Sequence, residues 1–276
     1  MKGTLVLAAW EVRRAVRTRW VLGGGIAFAA GASAVALLGL ESARELGLSG
    51  AGPASAGLIG FAMLLAPLLG LLLGASSIAG ARERGILGMI LVQPLATRSV
   101  VGGFFLGALG ALWLIILVGL GAAGVIFGAV ADASDVGALI AIAASTLAVA
   151  AASVAIGVAI SCMTEGQSQA AGWAVTIWFL MALGVDLALA GLGPSIHLGP
   201  SALLVVILLN PIETVRVLAL LASDAQGIQL GPFGAYLDAR FGDQGAAVVM
   251  LGALAIWVWV PLALAWWRLE RRKDRA

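Results

Sequence analysis

Six long apolar stretches dominate this chain, at residues 21–40, 57–80, 100–130, 137–161, 170–192 and 246–267. Each is near or above the ~20 residues an α-helix needs to cross a hydrocarbon core about 30 Å thick. Inside that core the backbone must satisfy its own N–H and C=O groups, which leaves helices and closed barrels. Barrel strands would read as ~10-residue alternating segments, whereas these runs are continuous. The sequence therefore predicts an all-α integral membrane protein with six transmembrane helices in one domain over 1–276. The run 100–130 exceeds a single crossing and is expected to include extramembrane turns. Composition agrees: 11% of residues are charged and mean hydropathy is +1.08, against about a quarter charged in soluble domains.

The stretch 201–222 is the challenge to a count of six. Leu203–Leu209 is strongly apolar but short, and Asn210, Pro211, Glu213 and Arg216 follow at once. A straight seventh span would carry those charges near mid-bilayer at ~2.5–3.5 kcal/mol each. A re-entrant or interfacial helix pair on the outer side fits better, inside a long extracytoplasmic loop expected over 193–245.

Basic residues orient the spans. Lys2, Arg13, Arg14, Arg17 and Arg19 precede the first, Arg82, Arg84 and Arg98 follow the second, and Arg268, Arg271, Arg272, Lys273 and Arg275 follow the last. The loop 162–169 has none. Six spans place all four segments on one side, leaving Arg44, Arg216 and Arg240 opposite. The positive-inside rule then predicts both termini cytoplasmic, in a cell inner membrane.

The first 20 residues are not expected to be a signal peptide, since the apolar Leu5–Trp10 stretch runs straight into Arg13 and Arg14. Leu5, Ala9, Val12, Val16 and Trp20 share a helical stripe with Arg13 and Arg17 on another, an amphipathic helix at a membrane surface. A plain basic flank orienting span one is the competing reading. Gly70/Gly74, Gly103/Gly107 and Gly124/Gly128 have the spacing of close helix contact. With 38 glycines in the chain, chance accounts for such pairs.

Several chemistries lack their residues. There is no GxxxxGK[ST], and the only lysines are Lys2 and Lys273, so no P-loop is available. One cysteine, Cys162, and one histidine, His197, give neither an internal disulfide nor a metal-site constellation. Ser195 lies near His197 without a GxSxG elbow. No enzyme activity, no cofactor, no metal site and no nucleic-acid partner are expected of this chain. Asp186 is the one charged residue well inside a span; it serves either a substrate or gating role, or a structural tie to the outer loops.

Directly after span two, the loop 81–98 contains Arg82-Glu83-Arg84-Gly85-Ile86-Leu87-Gly88-Met89-Ile90-Leu91-Val92-Gln93-Pro94. It reads as a short helix of apolar and charged residues stopped by Pro94. An apolar face to fit a groove and charges to fix register would suit a lever worked by a separate motor. An ordinary amphipathic surface helix is the alternative.

In layout this chain resembles the ABC-2 type permeases: basic amphipathic N-terminus, two spans, the loop Glu83-Arg84-Gly85-Ile86-Leu87 with Pro94, then four spans. Within that group it is similar to the membrane subunit of the Nos-type transporter, which serves maturation of the copper sites of nitrous oxide reductase. The residues that carry this are Ser168–Trp178, Phe179-Leu180, Asp186-Leu187, and Leu208–Pro211 with Glu213 and Arg216. The resemblance implies a homodimer, two ATP-binding cassette subunits holding ATP and Mg, and a periplasmic partner. It assigns ATPase coupling to Arg82, Glu83, Arg84, Gly85, Leu87 and Pro94, and the basic helix to Arg13 and Arg14, with Arg17 beside them. It assigns the outer re-entrant region to Asn210 and Pro211, with Glu213 and Arg216. Two positions depart from the pattern: Gly103-Phe104 replaces a Gly-Lys, and Ile86 replaces a Thr. The alternative functions are a generic ABC-2 exporter of drugs, lipids or glycans, and an ion-coupled carrier. Six Met, one Cys and one His offer no visible soft-ligand path for Cu(I).

Overall fold

A computed structural model describes residues 2–45, 52–128, 133–192, 199–223 and 230–273. His197 and Ser195 lie outside the described residues. The described chain is helical throughout: α1 (Lys2–Val16), α2 (Arg19–Glu45), α3 (Gly52–Glu83), α4 (Ile86–Leu91), α5 (Thr97–Gly128), α6 (Ala133–Met163), α7 (Gln167–Leu192), α8 (Pro200–Leu208), α9 (Pro211–Ser223) and α10 (Gly231–Lys273).

Six segments are long and apolar enough to cross a membrane: Arg19–Ser42, Ser55–Glu83, Thr97–Ile126, Leu139–Met163, Gln167–Leu187 and Gln244–Arg272. Each coincides with one of the six expected runs. The long run 100–130 is helical through Gly128, so its excess beyond one crossing is helix. Thirty-two residues at 1.5 Å each make α5 about 48 Å long.

α3 and α6 form the centre. Just over half of each span is buried (56%), against 17% in α7 and α10. The reason is small side chains. A Cβ on Gly74 would lie 2.5 Å from the Val154 carbonyl oxygen, and one on Gly157 would lie 2.5 Å from that of Leu71. A Cβ on Gly70 would meet Ser153 at 2.9 Å. Backbones this close gain the dispersion contact that drives helix association where lipid removes the hydrophobic incentive. Gly70/Gly74 is therefore a working contact and not a chance spacing. So is Gly103/Gly107: a Cβ on Gly107 would lie 2.4 Å from that of Glu11, and one on Gly103 would meet Leu7 at 2.8 Å. Phe104, standing where the resemblance has lysine, is fully buried and meets Trp10 edge-on at 6.4 Å.

Polar groups inside the bundle are tied to backbone. Ser161 Oγ donates to the Ala75 carbonyl at 2.7 Å and accepts from the Ala79 N–H at 2.6 Å. Three indoles bridge helices the same way: Trp113 to Leu147 O, Trp178 to Leu64 O and Trp257 to Leu208 O. The Trp178 bond lies one turn before Pro67 in α3, where the missing proline N–H weakens the helix's own ladder.

Within 193–245 the described residues form α8, α9 and the start of α10, which bends at Gly242 (φ 69°, ψ 173°). The chain bends by 114° between α8 and α9. Their nine and thirteen residues are about 14 and 20 Å long, each short of a crossing. The pair does not run straight across, and six spans stand.

Candidate functional site

The end of the bundle that carries most basic residues gathers α1, α4, the start of α5, the link 164–166 and the end of α10. The expected lever helix is shorter than its sequence suggests. α3 continues through Arg82 and Glu83, and the chain breaks at Gly85 (φ 71°, ψ 0°) before the six-residue α4. Gly85 N–H bonds to the Arg82 carbonyl at 2.9 Å, a left-handed residue ending a helix, which glycine adopts without a Cβ clash. Helix α4 stops at Val92, before Pro94.

This break sends the charges in different directions. Arg82 Nη1 donates to the carbonyls of Thr164 and Ser161 at the C-terminus of α6. Glu83 accepts the Gln167 N–H at 2.7 Å, at the N-terminus of α7. A cation on a helix C-terminus and an anion on an N-terminus both satisfy orphaned backbone groups and oppose the macrodipole. Two adjacent residues of α3 thus clasp the link 164–166 from both sides. Arg84 stays outside; partial burial and then Arg14 lower its pKa below the ordinary arginine value, with Glu11 and Glu83 opposing. A cavity of about 330 Å³ beside it is lined by Arg14, Thr18, Trp20, Ser76 and Gln167 among others.

On α4, Leu87 is buried while Met89 and Val92 stand 62% and 86% exposed. Pro94 is exposed too. Behind it, Leu95 packs onto the start of α1, where a Cβ on Gly3 would lie 2.6 Å from its side chain. In α1, Leu5, Ala9 and Val16 face outward and Val12 is half-buried; Trp20, exposed too, belongs to α2, because the expected single helix breaks at Arg17–Thr18. Arg13 and Arg17 are exposed, and Arg14 turns inward to pair with Glu11. Glu11, 1% exposed, was not singled out by sequence. An acid three residues before an arginine in an otherwise basic helix was the available signal.

The opposite half holds the second constellation. Asn210 joins α8 to α9. Its Oδ1 accepts the Ile212 N–H at 3.0 Å, and Pro211 occupies the first position of α9. This is an N-cap followed by the residue that needs no donor. Asn210 Nδ2 donates to the Met181 carbonyl in α7, and Trp257 of α10 holds the Leu208 carbonyl. Met181 lies 14 residues into α7, about 21 Å from its basic end and about 9 Å short of Leu187. The vertex therefore lies level with the apolar part of α7, not beyond its end. The structure brings Asn210 in, 4% exposed, because its side chain is satisfied from two helices.

Asp186, Arg216 and Glu213 converge beside it. Arg216 Nη1 lies 3.7 Å from Asp186 and donates to Glu213 Oε2 at 3.1 Å. Glu213 Oε1 is 2.9 Å from the same nitrogen yet has no well-aligned hydrogen bond; the shorter distance is an ion-pair contact. Asp186 is half-exposed. Among the described residues no group of three or more His, Cys, Asp or Glu could hold a metal.

Comparison with known proteins gives a consistent answer. The family profile described as "ABC-2 family transporter protein" matches residues 5–274. The chain is 30% identical over 272 residues to a probable ABC transporter permease protein NosY of Pseudomonas aeruginosa, covering 96% of this chain and 97% of that one. A protein of the same description from Stutzerimonas stutzeri is 31% identical over 273 residues, with the same coverage of both chains.

Proposed function

The chain belongs to the ABC-2 family of transporter proteins, as a multi-pass permease whose transporter also requires an ATPase, and from that premise we propose how it works. Helix α4 receives the motion of a separate ATPase that binds ATP and Mg. The clasp made by Arg82 and Glu83 passes it to α6 and α7, and α7 delivers it to the vertex at Asn210 and to Asp186. The observation that carries this reading is that one junction, Arg82–Gly85, holds both an exposed apolar helix and the ends of two spans.

The finer proposal is that the transporter serves maturation of the copper sites of nitrous oxide reductase, as the Nos-type resemblance implies. It works as a homodimer with two ATPase subunits and a periplasmic partner above, in the inner membrane with both termini cytoplasmic. Identity to the two NosY proteins across nearly the full length supports this. The chain transports a small solute or passes conformational change to the partner.

The test is a mild-detergent pulldown of the tagged chain with identification of co-purifying proteins. A P-loop ATPase at about one per permease chain is expected, and a periplasmic copper-handling protein would select the Nos-type branch. An ATPase recovered without that partner would favour a generic exporter. A chain that purified alone and moved solute down an ion gradient in liposomes would overturn the motor reading.

A further inference from the structure

Between α4 and the end of α10 lies a cavity of about 470 Å³, lined by Arg82, Leu87, Gly88, Leu91, Val92, Leu269 and Arg272. Its walls are aliphatic and its charges are two guanidiniums. Arg82 is committed to the α6–α7 link through Nη1 only; its Nη2 is buried without a hydrogen-bond partner. A buried cationic donor left unmatched is costly, so the site is set up for an anion.

The level of the cavity identifies the anion's carrier. Arg82 and Arg272 terminate the apolar spans of α3 and α10, where hydrocarbon gives way to headgroups. Trp266 and Trp267 mark the same level, with Arg98 stacked on the first at 3.8 Å and Arg271 on the second at 4.0 Å. Tryptophan and arginine concentrate at that depth in membrane proteins. A free anion would have no use for the leucine and valine walls, whereas an acyl chain would.

We propose that this cavity binds the headgroup phosphate of an anionic phospholipid between Arg82 and Arg272, with its upper acyl chain against Leu87, Leu91, Val92 and Leu269. Bound there, the lipid bridges the lever α4 to the last span, and the membrane's anionic content tunes the lever's position. The bridge to lever motion rests on the motor reading above; the binding itself does not.

The test uses the purified full chain in detergent with equal phosphatidylglycerol and phosphatidylcholine, read by native mass spectrometry. Two basic contacts at the membrane surface predict retention of phosphatidylglycerol over phosphatidylcholine by roughly tenfold or more. Arg272→Gln, which leaves the α6–α7 clasp intact, is expected to cut that preference about fivefold. Arg82→Gln should do the same if it folds, and Arg268→Gln, outside the cavity lining, should not. Equal retention of the two lipids, or an unchanged preference in Arg272→Gln, would overturn the proposal. So would displacement of the lipid by inorganic phosphate alone, which would mark a plain anion site, or by an acidic peptide, which would mark a protein contact. Because the assay contains no ATPase, its failure leaves the motor reading standing, and the pulldown decides that separately.

Discussion

Replacing Asn210 tests whether the α8–α9 vertex truly sits in the membrane. Two interactions end there: the cap on Ile212 N–H and the tether to the Met181 carbonyl. Losing a cap costs about 1 kcal/mol. A side-chain hydrogen bond inside a membrane protein averages about 0.6 kcal/mol. Asn210→Ala should therefore destabilise by roughly 1.5 kcal/mol, a fall of about 3–6 °C in Tm for a chain of this size class. Asn210→Asp discriminates more sharply. In water, Asp caps a helix about as well as Asn, so a surface vertex would tolerate it. At membrane depth, and 4% exposed, the new carboxylate forfeits the tether and adds ~2.5–3.5 kcal/mol for a buried charge. The expected order is wild type above Ala above Asp, with the Asp loss about twice that of Ala. Thermal unfolding of the three purified chains in one detergent, followed by tryptophan fluorescence, measures it. An Asp variant as stable as wild type would refute the depth assigned to the vertex.

Other outcomes follow from the remaining contacts. Glu83→Arg puts a cation on the α7 N-terminus, and is expected to lower stimulation of the partner ATPase several-fold while membrane insertion is unchanged; full stimulation in a reconstituted complex would count against the clasp. Gly157→Val places a side chain within 2.5 Å of the Leu71 carbonyl, so the chain should fail to accumulate or lose more than ~3 kcal/mol, while Gly172→Val, where a Cβ meets nothing within 4 Å, should leave expression and melting near wild type. Asp186→Asn loses only a half-exposed pair at 3.7 Å, worth less than about 1 kcal/mol, so Tm should move by no more than ~3 °C; a transport or partner-stimulation defect without a melting defect would then assign the residue to gating.

The spans were legible because lipid imposes the same demand on every residue of a crossing helix, and the sequence meets it with uninterrupted runs. The bend between α8 and α9 was legible for the complementary reason: Asn210-Pro211 stops one helix and starts another, and Glu213 and Arg216 make a straight crossing costly. What the sequence hid was direction. Arg82, Glu83 and Arg84 read as one charged cluster, and only Gly85's left-handed turn decides that two of them cap α6 and α7 while the third stays outside. The Arg-Glu-Arg-Gly run was in fact a helix-end signal, basic residues followed by glycine. Likewise, Gly74 and Gly157 are unremarkable among 38 glycines until α3 and α6 are placed side by side. The bonds of Ser161, Trp113, Trp178 and Trp257 to carbonyls of other helices have no local pattern at all, because each joins residues at least 34 positions apart.

The unequal lengths of the spans carry one more consequence. α7 has 26 residues and α5 has 32, about 39 and 48 Å if upright. Both exceed a hydrocarbon core of about 30 Å, so each must tilt or protrude, α5 by more than α7. α7, which joins the clasp on 164–166 to the α8–α9 vertex, thus has less excess length than α5. A thicker bilayer would use up that excess in α7 before it did so in α5, making acyl-chain length a mechanical input to the helix that links the two constellations.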